Sequence, residues 1–467
     1  MRQNESLTAH VDWPLFIVYI LLMLMGLATI YSAAFDPEHP NLFDFSQKYG
    51  KQVMWLGISL FLGLMVFLID SDIYRKFALP IYLFFLGLLV IVLFMPPVNG
   101  ARAWLGIGSM GIQPAEFAKI GTAILLARFL GSINVNQQNK STVLIANSII
   151  LVPMALILLQ PDAGTFVVFT SFLFVLYREG VSYDPLILGV LNLIPIKSLH
   201  FKETWIGTHF IPILFVTIFL SVATLLISNN SFQLSFIPDT EIPGYVKMLM
   251  FIFVFCLLGY FIMRFAFSKR DRKRAALIAV LAFLLASSLT YAVNYSFQKL
   301  AGHQKERIEL VLGLRQDPDG DDYNRNRAMA AVGSGGLLGK GYQNASVSSV
   351  ESNHVPESET DFIFCPFAEE WGFVGSIFLV LLYLFMILRV VIIAERQKSS
   401  FNRIYAYAVA MILFYHFAIN IGMNIEFMPV IGIPLPFFSY GGSSMMSFSM
   451  MMFILLKLDS QRKDVLN

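Results

Sequence analysis

Long apolar segments separated by mostly short polar ones dominate this chain and constrain its fold more than any motif does. Of the 467 residues, 57% are hydrophobic and 14% are charged, and the mean hydropathy is +0.67. Soluble domains carry about 25% charged residues, whereas a helix of about 20 apolar residues crosses a bilayer. We therefore predict an all-α polytopic membrane protein that forms one integral membrane domain over residues 1–467.

Twelve apolar segments have the length of a membrane-spanning helix. They cover residues 14–34, 52–69, 77–95, 114–130, 143–159, 164–179, 208–227, 246–267, 275–296, 362–392, 405–425 and 440–457. The tenth is long enough to contain a broken first turn or a re-entrant piece. Residues 184–196 are apolar but short and contain two prolines, so we interpret them as interfacial.

Lysine and arginine are unevenly distributed between the connecting loops, which indicates the orientation in the membrane. The basic residues of the loops near 75, 128–140, 269–274 and 396–403 all fall on one side, together with those of the C-terminal tail. The opposite loops at 35–48 and 228–245 are nearly free of them. We predict that both termini are cytoplasmic and that a large extracytoplasmic loop covers residues 297–361.

Other features exclude several classes of site. Cys256 and Cys365 lie in apolar stretches, so neither a disulfide framework nor a cysteine metal site is expected. The seven histidines show no metal-ligand spacing, and we assign none of them. The net charge of +2 gives no indication of a nucleic-acid partner. The N-terminus has no basic n-region and no cleavage site, so the first apolar segment is predicted to be a retained anchor.

Three acids lie where the long loop returns to the membrane. Glu357, Glu359 and Asp361 directly precede the tenth apolar segment. Ionisable residues at such a boundary are functional candidates, because an acid there faces water and lipid headgroups together. An enzyme that acts on a lipid-borne substrate would keep its catalytic base at this position.

Glu116 and Lys119 form a charged pair at the start of the fourth span. Pro114 suits the first helical position, and the spacing of i, i+3 places both side chains on one helix face. Either they form a structural ion pair, or Lys119 meets an anionic headgroup while Glu116 orients it. The sequence favours neither interpretation.

Two further charged residues lie in loops on the predicted outer side. Asp162 starts the sixth span, where it is either a helix cap or an acid in the same external cavity as Asp361. Arg102 lies close to Trp104 and either binds a phosphate or extends to the interface beside an anchoring indole.

Glycine-rich segments in the second half of the chain indicate turns and close packing. Residues 333–341 do not form a Walker A motif, because Ser334 stands where the first glycine belongs and Gly341 replaces the Ser or Thr that binds Mg²⁺. Tight turning is the favoured role of these glycines. Residues 439–444, which follow a proline-rich loop, are interpreted as a helix start whose small residues pack closely.

Six blocks, taken in order, resemble the SEDS family (shape, elongation, division and sporulation) of polytopic peptidoglycan glycosyltransferases. Residues 368–375 are more similar to the RodA, or elongation, branch than to the FtsW, or division, branch. The blocks are Gly100-Ala101-Arg102 with Trp104; Gln113-Pro114 with Glu116 and Lys119; Gln160-Pro161-Asp162 with Gly164-Thr165; residues 333–341; Pro356-Glu357 with Thr360-Asp361-Phe362 and Glu369-Glu370; and residues 434–443.

The resemblance implies an enzyme of the bacterial cytoplasmic membrane that polymerises lipid II into glycan strands on the outer face, during elongation and shape maintenance. The essential acid of the family maps onto Asp361, which serves as the base or binds a divalent cation such as Mg²⁺ or Mn²⁺. The supporting and substrate-binding residues implied by it are Glu116, Lys119, Asp162, Arg102, Arg307 and Glu357. The expected partners are lipid II, membrane lipids and a class B penicillin-binding protein.

The chain departs from the family pattern at three places. Glu359 replaces a histidine that usually precedes the Thr-Asp pair, and we expect this acid to raise the proton affinity of Asp361. Ala103 stands where many relatives carry a second arginine. The family has ten spans, and the surplus of two lies within residues 200–296, which we predict to be an inserted pair of transmembrane helices.

Two other function classes compete with the enzyme. A polytopic lipid II flippase or transporter would also carry intramembrane charges and proline-broken segments. Transporters place such charges near the midplane, however, whereas the acids here cluster at the predicted external end. A scaffold that only recruits a transpeptidase would leave Asp361 and the charged pair without a role.

Overall fold

The computed structural model of the protein describes residues 11–97, 101–106, 111–132, 136–191, 205–228, 243–266, 271–299, 309, 321–348, 357–428 and 430–462. Arg307, one of the predicted supporting and substrate-binding residues, lies outside these residues.

Seventeen helices are found in the described residues. They are α1 (Trp13–Ala33), α2 (Lys48–Leu68), α3 (Ser71–Lys76), α4 (Ala78–Val92), α5 (Pro114–Leu130), α6 (Lys140–Leu159), α7 (Ala163–Phe169), α8 (Ser171–Arg178), α9 (Asp184–Leu191), α10 (Trp205–Thr208), α11 (Phe210–Ser228), α12 (Gly244–Ala266), α13 (Asp271–Gln298), α14 (Asp321–Ser334), α15 (Phe364–Glu395), α16 (Ser400–Asn424) and α17 (Gly442–Ser460).

The predicted all-α polytopic fold is confirmed. Each of the twelve predicted spans coincides with a helix or, for residues 164–179, with the consecutive helices α7 and α8. Seven helices in the described residues are long and apolar enough to cross a membrane: α1, α2, α6, α11, α12, α15 and α16. The only β-type pairing there is a single bridge between Leu105 and Ile112.

The predicted break in the tenth span is also present. Gly372, eight residues after the start of α15, has φ 65° and ψ −164°, which is not helical. A Cβ at this position would lie 2.2 Å from the backbone nitrogen of Gly339. Only glycine accommodates both this conformation and this approach, so α15 consists of a short first piece and a long second piece.

The chain divides into two compact units. One combines Met1–Thr208 with Tyr323–Asn467, and the other is His209–Asp322, which overlaps the predicted insertion at 200–296. In the second unit α11, α12 and α13 pack against one another. The Thr224 hydroxyl of α11 lies 3.5 Å from the Thr290 hydroxyl of α13. The role of this unit as an inserted helical pair remains a prediction.

Helix α16 is central in the first unit. It packs against α5, α7, α8, α15 and α17, and most of its residues are buried. Along it, His416, Asn420 and Asn424 recur every four residues, so these three buried polar side chains lie on one face. That face points toward the turn that carries Asp361.

Candidate functional site

Asp361 lies in a tight turn of residues 357–363, immediately before α15. The backbone nitrogens of Thr360 and Phe362 both donate to the carbonyl of Glu357, at 3.0 and 3.3 Å. Glu357 has φ 57°, an uncommon conformation for a non-glycine residue. Asp361 is half-buried between the exposed Glu357 and the buried Phe362. The turn therefore presents the carboxylate at the edge of the folded interior.

Asn420 and Asn424 of α16 hold this turn in place. The Asn420 amide donates to the carbonyl of Asp361 at 2.8 Å and to that of Ile433 at 2.7 Å. Asn424 donates to the same Asp361 carbonyl at 3.3 Å and accepts from the Cys365 thiol at 2.8 Å. Buried carbonyls require such partners, so α16 fixes the backbone on both sides of the candidate acid. Sequence reasoning missed both asparagines, although polar residues four apart in an apolar helix are a detectable signal.

Gly164 allows the 431–433 segment to pack closely on the start of α7, and Gly432 of that segment lies beside Asp361. A Cβ on Gly164 would lie 2.5 Å from the carbonyl oxygen of Ile431, so the 431–433 segment packs directly on α7. A Cβ on Gly432 would lie 3.4 Å from the Asp361 Oδ2 atom. The segment thus lies between Asp361 and the helix that Asp162 begins.

The electrostatics of Asp361 reflect this packing. Burial, then the charge of Glu357 and a hydrogen bond with its carboxyl group, then the charge of Asp162, raise the pKa of Asp361 to about 7. Glu357 and Asp162, both predicted supporting residues, are therefore close enough to act on it. A carboxyl group with this proton affinity exchanges a proton near neutral pH.

Asp162 is a helix cap as well as a neighbour of Asp361. Its carboxylate accepts from the backbone nitrogen and the hydroxyl of Thr165, both at 2.9 Å, and from the Gln113 side chain at 2.7 Å. The two interpretations of the sequence are thus compatible, because the cap fixes a negative charge beside the candidate site.

Glu116 and Lys119 form an ion pair inside the helical bundle. Their charged atoms lie 2.9 Å apart, and both side chains are buried. The Lys119 ammonium also lies 2.9 Å from His416 Nε2, and the opposite ring nitrogen of His416 lies 3.1 Å from the carbonyl of Pro434. In this arrangement the neutral His416 ring carries its proton on Nδ1 and donates it to the Pro434 carbonyl, while Nε2 accepts a hydrogen bond from the Lys119 ammonium. The geometry favours the ion-pair interpretation over a direct contact of Lys119 with a headgroup.

His416 is a residue that sequence reasoning left unassigned. It lies one turn before Asn420 on α16 and binds Pro434, which is adjacent to the Ile433 carbonyl that Asn420 binds. The buried charged pair is therefore connected to the segment that packs against Asp361.

Arg102 is exposed and lies beside the turn that leads to Asp162. Its backbone nitrogen donates to the Gln160 carbonyl at 3.2 Å, and its guanidinium donates to the Leu93 carbonyl at 3.3 Å. The side chain is thus available on the surface next to the residues that precede α7.

Glu359 behaves differently from our expectation. Its carboxylate forms an ion pair with Lys48 of α2, and its backbone carbonyl accepts from Tyr440 at 2.8 Å. The acid that acts on Asp361 from within the turn is Glu357. Because Glu359 is held by a cation on another helix, it connects the turn to α2 instead of raising the pKa of its neighbour.

The glycine-rich segment 333–341 packs against the short first piece of α15. A Cβ on Gly339, where φ is 80°, would lie 2.0 Å from the Glu370 carbonyl oxygen, and a Cβ on Gly335 would lie 2.3 Å from that of Ala368. The Lys340 ammonium lies 2.5 Å from the Glu369 carboxylate. These contacts support the tight-turn interpretation of the glycines, and they assign Lys340 to an internal ion pair.

A divalent cation at Asp361 requires several oxygen ligands. Two carboxylates, those of Asp361 and Glu357, meet here. No group of three or more His, Cys, Asp or Glu side chains that could hold a metal ion occurs within the residues that the structure describes. The described residues thus supply two carboxylates for a cation at this position, and the cation remains a prediction from the resemblance.

Comparison with known proteins places this geometry in a family. The sequence model named FtsW/RodA/SpoVE, described as "Cell cycle protein", matches residues 12–221 and 274–464. The chain belongs to this family. The resemblance inferred from the motifs is thereby confirmed, because RodA and FtsW are the branches of the SEDS family. The unmatched residues 222–273 lie inside the predicted insertion.

Curated relatives of this SEDS protein extend over nearly its whole length. The peptidoglycan glycosyltransferase RodA of Treponema pallidum is 29% identical, and the alignment covers 97% of this chain and 98% of the relative. The peptidoglycan glycosyltransferase MrdB of Escherichia coli K12 is 28% identical, with coverage of 97% and 95%. Proteins named FtsW also match, at 26% identity for that of Thiomicrospira cyclica.

Solved structures share the fold. A chain from a study titled "Structural coordination of polymerization and crosslinking by a peptidoglycan synthase complex" superposes with a TM-score of 0.64 at 22% identity, covering 97% of this chain and 99% of that one. The rod shape determining protein RodA of Thermus thermophilus gives 0.56 at 21% identity, with coverage of 97% and 98%.

Proposed function

We propose that this SEDS protein is a peptidoglycan glycosyltransferase that polymerises lipid II into glycan strands during cell elongation. The observation that carries the proposal is Asp361. It is held through its backbone by two buried asparagines of α16, and its pKa is raised to about 7. The names of the curated relatives support the same reaction class.

In the proposed reaction, the 4-hydroxyl of one lipid II N-acetylglucosamine attacks C1 of the N-acetylmuramic acid of the growing chain. Asp361, as the carboxylate, accepts the hydroxyl proton while the new C1–O bond forms. The bond from C1 to the pyrophosphate oxygen breaks, and undecaprenyl pyrophosphate leaves with the electron pair. A positioned base typically accelerates such a step by about 10²–10⁴-fold.

The leaving pyrophosphate requires positive charge, which often contributes more than the base does. Arg102 is the described candidate, because it is exposed next to the turn before Asp162. Lys119 contributes its positive charge from inside the bundle and not by direct contact with the pyrophosphate, because its ammonium is already bound by Glu116 and His416. A divalent cation, if bound by Asp361 and Glu357, would supply further charge to the pyrophosphate.

We place the enzyme in the bacterial cytoplasmic membrane with both termini in the cytoplasm, on the distribution of lysine and arginine between the short loops. Asp361 then faces the outer leaflet. A class B penicillin-binding protein is the proposed partner. One structural neighbour comes from a peptidoglycan synthase complex that couples polymerization to crosslinking, which supports such an assembly.

The deciding experiment is polymerisation of purified lipid II, with and without the transpeptidase, by the wild type and by Asp361→Asn. Asp70→Asn is a matched control, because Asp70 is an exposed helix cap outside the site. Glycan strands from the wild type and the control, and none from Asp361→Asn, would support the proposal. Full activity of Asp361→Asn would refute the role of this acid. Absence of strands together with acid-dependent movement of lipid II across liposomes would favour a flippase.

A further inference from the structure

Three arginines surround a cavity at the far end of α15 from Asp361. The cavity has a volume of about 210 Å³. Its lining consists of Val11, Asp12, Trp13, Pro14, Arg389, Arg396 and Arg462. Neither the catalytic proposal nor the family motifs use any of these residues.

Two buried aspartates hold the arginines in position. Asp12 accepts from Arg389 Nε at 3.0 Å and from Arg396 Nη2 at 2.7 Å. Asp459 accepts from Arg396 Nε at 2.9 Å and from Arg462 Nη1 at 3.1 Å. Burial raises the pKa of Asp12, but the hydrogen bonds from Arg389, from the backbone of Leu15 and from Arg396 outweigh it, so the pKa is lowered. Asp12 is therefore a carboxylate, and the guanidinium groups are preorganised.

The cluster carries excess positive charge. Three guanidinium groups meet two carboxylates, and each guanidinium has five N–H donors. The bonds to the aspartates use Nε and Nη2 of Arg389 and of Arg396, and Nη1 of Arg462. Donors thus remain on all three side chains that line the cavity. A phosphate accepts from such donors in bidentate geometry.

Apolar stripes lead from the cavity along the two helices that border it. On α1, Trp13 is followed at helical spacing by Ile17 and Leu21, and all three are exposed. On α15, which packs against α1, Phe385 and Leu381 lie four and eight residues before Arg389 and are exposed as well. The two helices run in opposite directions here, so both stripes extend from the charged end toward the membrane interior.

We propose that this cavity binds the phosphate of an anionic phospholipid, whose acyl chains lie along the apolar stripes of α1 and α15. A free phosphate would use the arginines but not the stripes, and a zwitterionic lipid would use the stripes but would not gain from the excess positive charge. With both termini in the cytoplasm, the lipid belongs to the inner leaflet, where anionic headgroups attract basic pockets between helices. The site does not depend on the polymerase activity.

Arg462 is the residue best suited to a test. When Arg462 is removed, Asp459 still accepts hydrogen bonds from Arg396 at 2.9 Å and from the Gln397 side chain at 2.8 Å. The buried Asp459 carboxylate therefore keeps two of its partners. Arg128 is a matched control, because it is an exposed arginine of the same predicted cytoplasmic face that donates to the carbonyl of Lys76 and does not line the cavity.

The full-length protein in detergent is titrated with phosphatidylglycerol, phosphatidylcholine or inorganic phosphate, and native mass spectrometry measures bound lipid while thermal unfolding measures stabilisation. We expect preferential binding of phosphatidylglycerol, weakened about tenfold by Arg462→Gln, as expected for one lost charged hydrogen bond. Arg462→Lys retains the charge but not the planar guanidinium, so its affinity for phosphatidylglycerol should lie between those of the wild type and Arg462→Gln. The affinity of Arg128→Gln should match that of the wild type.

Equal binding of phosphatidylglycerol and phosphatidylcholine would overturn the proposal, as would equal weakening by Arg462→Gln and Arg128→Gln. Stabilisation by inorganic phosphate as large as that by phosphatidylglycerol would also overturn it, in favour of a free-anion site. If Arg462→Gln fails to fold, the comparison of lipids on the wild type and on Arg462→Lys still decides the question.

Discussion

The side-chain amide of Asn420 joins the carbonyls of Asp361 and Ile433, at 2.8 and 2.7 Å. These two carbonyls belong to segments separated by the whole of α15 and α16. A single buried side chain therefore aligns the candidate base with the segment that packs against it. The precision of this alignment decides the rate, because misplacing a catalytic group by about 1 Å costs about 10²-fold.

Replacing Asn420 by alanine should therefore reduce catalysis more than folding. We expect Asn420→Ala to lower kcat for lipid II polymerisation by about 10²-fold with a smaller change in KM, since it leaves the Ile433 carbonyl without this donor and the Asp361 carbonyl with only the longer 3.3 Å bond from Asn424. Asn402→Ala is the control, because Asn402 is also buried on α16 and donates to the Leu458 carbonyl, far from Asp361. Equal loss of kcat in both variants would show that the effect is only structural.

The rate should depend on pH through Asp361. Its pKa of about 7 requires that polymerisation increase as pH rises through 7, because the base must be deprotonated. Glu357→Gln removes one cause of the raised pKa, so the midpoint of the pH–rate profile should shift to lower pH, while Asp162 still acts on the group. A midpoint that Glu357→Gln does not move would contradict this account.

The same raised pKa affects stability in the opposite direction. Because the pKa of Asp361 is higher in the folded than in the unfolded chain, its contribution to stability is fully present below the usual value of 3.8 and is lost as pH rises through about 7. Asp361→Asn removes this dependence, so its thermal unfolding midpoint should gain on that of the wild type as pH rises from 5 to 8. An unchanged difference between the two midpoints across this range would contradict the expectation.

The Glu116–Lys119 pair should couple strongly in a double-mutant cycle. Lys119→Met leaves a buried carboxylate without its cation, which typically destabilises by about 3–5 kcal/mol. The double variant Lys119→Met, Glu116→Gln should recover much of this loss, as measured by thermal unfolding in detergent. If the losses in unfolding free energy of the two single variants simply add in the double variant, Glu116 and Lys119 do not interact as a buried ion pair.

Gly432 should matter for activity beyond the strain that a side chain causes there. It has φ 66°, and a Cβ would lie 3.4 Å from Asp361 Oδ2. Gly180 has φ 74° and open space around its Cβ position, so Gly180→Ala carries comparable strain without a contact at the site. Both variants should lose about 1–2 kcal/mol of stability, and only Gly432→Ala should lose polymerase activity. Equal polymerase activity of Gly432→Ala and Gly180→Ala would show that the 431–433 segment has no role in catalysis.

Several features of this protein follow from the sequence alone. The length and apolar content of each span predict the membrane helices, because a helix satisfies all backbone polar groups within the segment, as the bilayer interior requires. The position of Asp361 at the end of a long polar loop identifies it as a candidate without any knowledge of its partners. The break in the tenth span was also predictable, since its apolar stretch exceeds the thickness of a bilayer.

Other features depend on the tertiary structure. His416 and Lys119 are 297 residues apart, and Glu359 and Lys48 are 311 apart. Local periodicity shows which face of a helix is polar, but it contains no information about which helix will cover that face. The choice of partner depends on packing among many helices at once. Proximity in sequence therefore suggests that Glu359 acts on Asp361, whereas the fold pairs Glu359 with Lys48 of α2.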